Sequence, residues 1–404
     1  MRLWELEFLE NYRCALSGVC CSDQWFLPIT AKEAEQLRKI ASRHPQRFPS
    51  GQISCEIEEP PHVGHFLIHH GVRHCPAFEH DGQCFIHRTE GPQAMPRICR
   101  VFPRSRMVTP RGLSQRLTPA CTEVSRRIVR GGGRVAITVS EFSDKLPQEA
   151  EMTLGGESTP PVFGGNCLSW RELWDLEEHW VELCADSGLT AEEVLVQVGI
   201  SLQVPDNPAQ RHGFVHAVHE ITRGNARKSL ASIPTDPRGH CRVMSEILWR
   251  MALNTRTEGL AERSRALRGL IARLSGSAEE LAQIDPERLL AARDRHLVPT
   301  ASHMAGIERR YLATYLFANP DMFRAGTDAC EIFARICVQL ALVRLIALGH
   351  ALEEGRPVGD TALQRAIQFV SVHVAHDGAL WRELFGKERS ARQLVPVGLQ
   401  VLRC

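Results

Sequence analysis

The chain has 404 residues, 43% hydrophobic and 24% charged, with a formal net charge of +1. That length supports a full core and two or three domains. The near-neutral balance leaves no basic excess to neutralise a run of phosphates, which argues against a dedicated nucleic-acid binder.

The N-terminus, MRLWELEFLENYRC, has no basic segment followed by an apolar one, so no secretory signal is expected and the protein is assigned to the cytoplasm. Its 14 cysteines would then meet a reducing compartment, where metal binding or redox chemistry explains clustered thiols better than a disulfide framework does. Residues 30–33, TAKE, pair Thr30 with Glu33 as a capping box and predict a helix through AEQLRKIA. The stretch RVAITVS (134–140) alternates as a strand does. Residues 141–165 are polar and rich in Pro and Gly, the composition of a linker.

Beyond the linker the pattern becomes helical. Thr190 and Glu193 form a second capping box, and Asp285 with Pro286 marks another helix start. SEILWRMAL, EIFARICVQLALVRLIAL and TALQRAIQFVSVHVA repeat apolar residues at helical spacing. The most hydrophobic run, 332–352, is interrupted by Arg335 and Arg344, which predicts a buried helix and no membrane span. The expected fold is therefore mainly α. An irregular, cysteine-rich, metal-binding N-terminal domain with little β (1–140) precedes the linker, and a helical domain (166–404) follows it.

Seven cysteines in the first third form an ordered set: Cys14, Cys20, Cys21, Cys75, Cys84, Cys99 and Cys121. Each sits beside Gly, Pro or a polar turn residue, where a bending backbone can aim several sulfurs at one centre. Thiolates favour zinc, copper(I) or iron–sulfur clusters. One zinc or one cluster needs four ligands, and no C-x2–4-C knuckle occurs, so seven thiols exceed either requirement. The adjacent pair Cys20–Cys21 can reach one metal only if the backbone turns sharply, a task for Gly18 just upstream. The competing reading is of buried core cysteines, which suits Cys55 and the later six better. His62, His65, His69, His70, His74, His80 and His87 crowd the same region and offer imidazole ligands or simply solvated side chains.

The contexts RC…CC followed by Trp25, CPAF…DGQCFIH, MPRICRVFPR and LTPACTEVSRRIV resemble the YkgJ-type cysteine-cluster proteins, and within them the flagellin lysine-N-methylase (FliB) family. WRELWDLEEHW…LTAEEVLVQVGISLQ, RYLATYLFANPDMF and FVSVHVAHDGALWRELF extend the resemblance, less specifically, over most of the chain. The interval ALSGV before the CC pair lacks a further cysteine that the family often places there. The resemblance implies a cysteine-held metal centre, an iron–sulfur cluster in the methylase branch with zinc as the alternative. It also implies S-adenosylmethionine-dependent methylation of lysine on a protein substrate such as flagellin.

That chemistry requires a neutral amine, whereas free lysine has a pKa of ~10.4. Glu308, Tyr311 and His376 are conceivable proton acceptors, although helix-surface or core-edge positions explain all three better. No Gly-rich turn links a strand to a helix as a Rossmann-type cofactor site would, since RGGGRVAI (130–137) precedes a strand. A metal-binding or redox-sensing protein without methyl transfer is the second reading, and a zinc-stabilised interaction module the third.

Overall fold

The computed structural model describes residues 1–18, 21, 27–51, 53–57, 64–67, 75–79, 81–142, 152–153, 162–163, 166–203, 218, 223–253, 260–279, 281–323, 328–375, 380–381 and 398–399. The chain opens with strand β1 (Arg2–Leu6). Short strand β2 (Pro28–Ile29) leads into helix α1 (Ala31–Arg43), whose capping box forms as the sequence predicts. Thr30 Oγ accepts from the Glu33 amide at 3.2 Å, and Glu33 Oε2 accepts from the Thr30 amide at 2.8 Å. Glu33 Oε1 also accepts from the Arg97 amide at 2.6 Å, so one carboxylate ties two helix starts together.

Strands β3 (Ser54–Ile57) and β4 (Gly64–Leu67) join β2 in an antiparallel sheet of order β2-β4-β3. Helix α1 buries Ala34, Leu37, Ile40 and Ala41 with Phe48, Ile53, Leu67, Ala77 and Ile86, making a small satellite core. Short helices α2 (Phe85–Glu90) and α3 (Arg97–Val101) border it.

The larger sheet has the order β7-β1-β6-β5-β8. Its hairpin, β5 (Arg104–Thr109) and β6 (Gly112–Leu117), is antiparallel, while β6 runs parallel to β1. After helix α4 (Thr122–Arg130), strand β7 (Ile137–Glu141) falls where alternation predicts a strand. Strand β8 (Met152–Thr153) lies within the expected linker, as does β9 (Val162–Phe163), which pairs with β10 (Asn166–Cys167).

The expectation of little β in the first 140 residues is thus corrected, because seven strands begin there among the described residues. Central strand β6 is the reason it was hidden. Buried on both faces, it carries Ser114, Gln115 and Arg116 among its buried residues, and their polarity masks the period-2 signature.

The remainder is helical, and the chain as a whole is mainly α. Helices α5 (Trp170–Ala185), α6 (Ala191–Ser201), α7 (Arg223–Ser232), α8 (Pro237–Leu253) and α9 (Leu260–Ser275) are followed by α10 (Pro286–His296), α11 (Ala301–Leu316), α12 (Ala329–Glu354) and α13 (Asp360–His373). Thr190 with Glu193 caps α6, and Asp285 caps α10, as expected. By length and composition α12 could cross a membrane, yet 89% of its most apolar window is buried inside the protein. Arg344 in that helix meets both oxygens of Glu308 at 2.7 and 2.8 Å and Glu192 at 2.6 Å. A half-buried cation with two carboxylate partners explains how arginine is tolerated there.

The main core crosses the expected domain division. Leu6, Phe8, Leu117, Val124 and Ile128 share it with Trp180, Leu312, Phe333 and Leu363. Arg310 of α11 donates to the Ile128 and Val129 carbonyls at 2.6 and 3.1 Å, satisfying two orphan acceptors at the end of α4.

Candidate functional site at the thiol-rich seam

The N-terminal arm, residues 12–18, lies across the turn between Cys75 and Cys84. Two glycines permit this approach. At Gly18 (φ +68°) a Cβ would stand 2.1 Å from Phe78 Cε2, and at Gly82 (φ +82°) one would stand 1.9 Å from the Leu16 carbonyl oxygen. The Cys21 amide donates to the Gly18 carbonyl at 2.8 Å. The Cys21 carbonyl then accepts from the Cys75 amide at 2.6 Å. Phe78 and Cys84 form a bridge, and Cys75, Cys84 and Cys99 pack against the satellite core. Cys21, Cys75, Cys84 and Cys99 are all half-buried.

A second thiol neighbourhood surrounds Tyr12. Its hydroxyl lies 3.2 Å from Sγ of buried Cys121, and Arg104 donates to the Tyr12 carbonyl at 3.4 Å while its guanidinium lies 5.1 Å from the ring centroid. Burial, then the contact with Cys121, then the negative charge available at Cys121 and Cys14 push the Tyr12 pKa upward. The phenol therefore keeps its proton and can donate it to a thiolate at Cys121.

The structure thus brings the described members of the sulfur set into two neighbourhoods rather than one cluster. Among the described residues, no group of three or more His, Cys, Asp or Glu side chains is placed to hold a metal ion. Cys20, His62, His69, His70, His74 and His80 lie outside the described residues. His65 sits on β4 with Nε2 3.9 Å from Glu56, and His87 is exposed on α2. Four of the later cysteines are core residues as expected: Cys184, Cys241, Cys330 and Cys337 are buried, and burial pushes the Cys184 thiol up to about 12; Cys55, expected with them, is only half-buried.

Directly after β6, Thr118 and Pro119 enter the wall of a cleft and Cys121 follows at the N-cap of α4. The cleft is narrow, with about 20 Å³ of space open to water. Arg116 and the Thr118–Pro119 step form one wall; Tyr315, Asn319 and Asp321 come from the end of α11 and the turn after it; Ile332, Arg335, Ile336 and Gln339 form a third wall. These last four recur at helical spacing, so a single face of α12 turns toward the cleft.

Arg116 lies 5.7 Å from the Tyr315 ring centroid, and the Tyr315 hydroxyl is 3.0 Å from Ser371 Oγ. Arg335 is ion-paired with Glu331 one turn away and lies 5.7 Å from the Trp381 ring centroid. Arg116 and Gln339 are 8% and 4% exposed, yet Nε and Nη1 of Arg116 and Oε1 of Gln339 have no hydrogen-bond partner among the described residues.

The sequence did not single out Arg116 or Gln339. The available signal was Arg335 and Gln339 four residues apart in the most apolar run of the chain. Of the conceivable proton acceptors, Glu308 is held by Arg344 in the core, which gives it a structural task. Tyr311 is fully buried, and burial raises its pKa well above the ordinary phenol value, which unsuits it as a base. His376 lies outside the described residues.

Residues 208–386 match the family model of the FliB lysine N-methylase C-terminal domain. The flagellar biosynthetic protein FliU of Salmonella muenchen is 25% identical over 139 residues, covering 33% of this chain and 80% of that protein. No solved structure matches the chain. The resemblance to the FliB family drawn from the sequence is borne out, and the matched domain falls in the helical part, where the quoted motifs were less specific.

Proposed function

We propose, from the FliB-type match of residues 208–386, that the chain is a lysine N-methylase acting on flagellin or another protein, with S-adenosylmethionine as methyl donor. One observation carries the reading. The matched domain supplies Tyr315, Asn319, Asp321 and the α12 face of the cleft, while the segment leading to Cys121 closes the other side.

S-adenosylmethionine would supply an electrophilic methyl group to a lysine nitrogen that has lost its proton. The residues of the chain have two tasks. A partly enclosed cleft walled by Ile332 and Ile336 disfavours the ammonium form of an entering lysine. Asp321 is the carboxylate on the α11 side that would face that amine, while the Asn319 side chain donates to the Tyr315 carbonyl and accepts from the Asp321 amide.

We further assign Cys14, Cys20, Cys21, Cys75, Cys84, Cys99 and Cys121 to an iron–sulfur cluster, with zinc as the alternative. Soft sulfur donors on bending loops and the half-burial of four of them support this assignment. Because the described thiols stand in two neighbourhoods, no step of methyl transfer is derived through a metal. The same half-buried thiols support the second reading, a metal-binding or redox-sensing protein without methyl transfer.

The test is the lysine methylation state of flagellin in host cells with and without the gene, read by peptide mass spectrometry. Methyl-lysine lost on deletion and restored by complementation is expected. Unchanged flagellin, with no other protein losing methyl-lysine, would remove the methylase reading.

A further inference from the structure

We propose that Cys21 and Cys75 form a redox-sensitive dithiol, which a hydroperoxide closes into a disulfide that staples the N-terminal arm to the turn between Cys75 and Cys84. The backbone sets the two residues side by side. The Cys75 amide donates to the Cys21 carbonyl at 2.6 Å, and standard covalent geometry around that bond keeps the two Cα atoms within about 6.5 Å. Bridged cysteines span about 4.4–6.8 Å between Cα atoms, so the spacing a disulfide needs is already met. Among the described residues, no other two cysteines share a backbone hydrogen bond.

Two facing turns hold this pair. The Cys21 amide donates to the Gly18 carbonyl at 2.8 Å, and the Phe78 amide donates to the Cys75 carbonyl at 2.9 Å. Each cysteine thus ends or begins a three-step turn, and the far ends of the two turns also meet, because a Cβ at Gly18 would stand 2.1 Å from Phe78 Cε2. The contact is therefore made at both ends, Gly18 on Phe78 and Cys21 on Cys75. Both thiols are half-buried, within reach of a small peroxide. A bond between them closes residues 22–74, with α1 and the sheet β2-β4-β3, into one loop.

The chemistry balances without a cofactor. One thiolate attacks the hydroperoxide, the O–O bond breaks, a sulfenic acid forms and the departing oxygen leaves as water or an alcohol. The second thiol displaces the sulfenic hydroxyl as water, so the S–S bond forms as the S–O bond breaks. Two thiols are oxidised by two electrons and the peroxide is reduced by two. A small thiol reverses the link by exchange, the behaviour of a sensing disulfide in a reducing compartment. Soft metals are held by thiolates, so the link also withdraws both sulfurs from any metal. The inference deepens the redox-sensing reading and does not need methyl transfer.

The full chain, as purified anaerobically and after treatment with a chelator, is exposed to one equivalent of hydrogen peroxide and alkylated. Digestion with trypsin and a glutamate-specific protease, which cuts after Glu79 and so parts Cys75 from Cys84, precedes non-reducing mass spectrometry. A Cys21–Cys75 link that dithiothreitol reverses is expected in the chelator-treated protein. Cys20→Ser and Cys84→Ser should keep it, and Cys21→Ser and Cys75→Ser should abolish it. Gly18→Ala retains every thiol but forces the arm off Phe78, and should slow linkage about tenfold or more. Circular dichroism confirms that each variant is folded. Linkage in protein that binds no metal in any preparation supports the pair and removes the metal assignment alone. The proposal is overturned if folded wild type forms no such link, if folded Cys21→Ser links Cys20 to Cys75 as fast, or if folded Gly18→Ala links as fast as the wild type.

Discussion

Glu123 shows how single residues fasten the N-terminal arm. In the first turn of α4 it accepts from Arg126 at 2.7 and 2.8 Å and from Arg127 at 3.1 Å, while Arg127 also donates to the Glu10 and Asn11 carbonyls. The Arg126 hydrogen bonds, joined by Arg127, hold the Glu123 carboxyl below its ordinary value of 4.5. A lowered folded-state pKa stabilises the protein above 4.5, and that contribution is lost as the pH falls through the folded value. Glu123→Gln should therefore cost about 1–2 kcal/mol at neutral pH and progressively less below 4.5. Urea denaturation at a series of pH values measures this, and a pH-independent difference would contradict it. Arg111 and Glu177 make a stronger test. Their 2.7 Å pair is almost wholly buried, among the Trp4, Trp174 and Phe317 rings. Glu177→Ala leaves the guanidinium buried without its carboxylate, and the unfolding free energy should fall by about 3–5 kcal/mol.

At the scale of elements, the capping signals were the most legible part of the sequence, because a cap is local chemistry. Thr30, Thr190 and Asp285 all cap helices as read, and Thr30→Ala should cost about 1 kcal/mol in chemical denaturation. An unchanged midpoint would show that the Glu33 link to Arg97 carries the load. The same local logic applies at Ser169, whose box with Glu172 starts α5 and was passed over. Strands depend on partners far away in sequence. Strand β6 gains its burial from β1 and β5, and its polar residues are satisfied across the sheet, as where Gln115 donates to Glu5 at 2.9 Å. Nothing within GLSQRL announces that pairing. The cleft was illegible for the same reason, since Arg116 and Gln339 meet only in the folded chain, 223 positions apart on the numbering of the sequence.

For the whole molecule, β1, its neighbouring turn and α4 share one core with the helical body, so the cleft and the thiol-bearing arm are parts of a single packing unit. The cysteine spacing suggests one centre, whereas the described thiols stand in two neighbourhoods, because sulfur convergence depends on loop geometry that spacing does not encode. The assigned metal centre predicts iron with acid-labile sulfide, or zinc, in anaerobically purified protein, lost when Cys21, Cys75 and Cys99 are changed together to Ser. Protein folded with no bound metal would remove that assignment. The most direct measurement of all is methyl transfer itself. The purified full chain is incubated with flagellin and methyl-labelled S-adenosylmethionine, and the label is located by peptide mass spectrometry. Label on lysine side chains is the predicted result. A folded protein that binds S-adenosylmethionine but leaves every flagellin lysine unlabelled would contradict it.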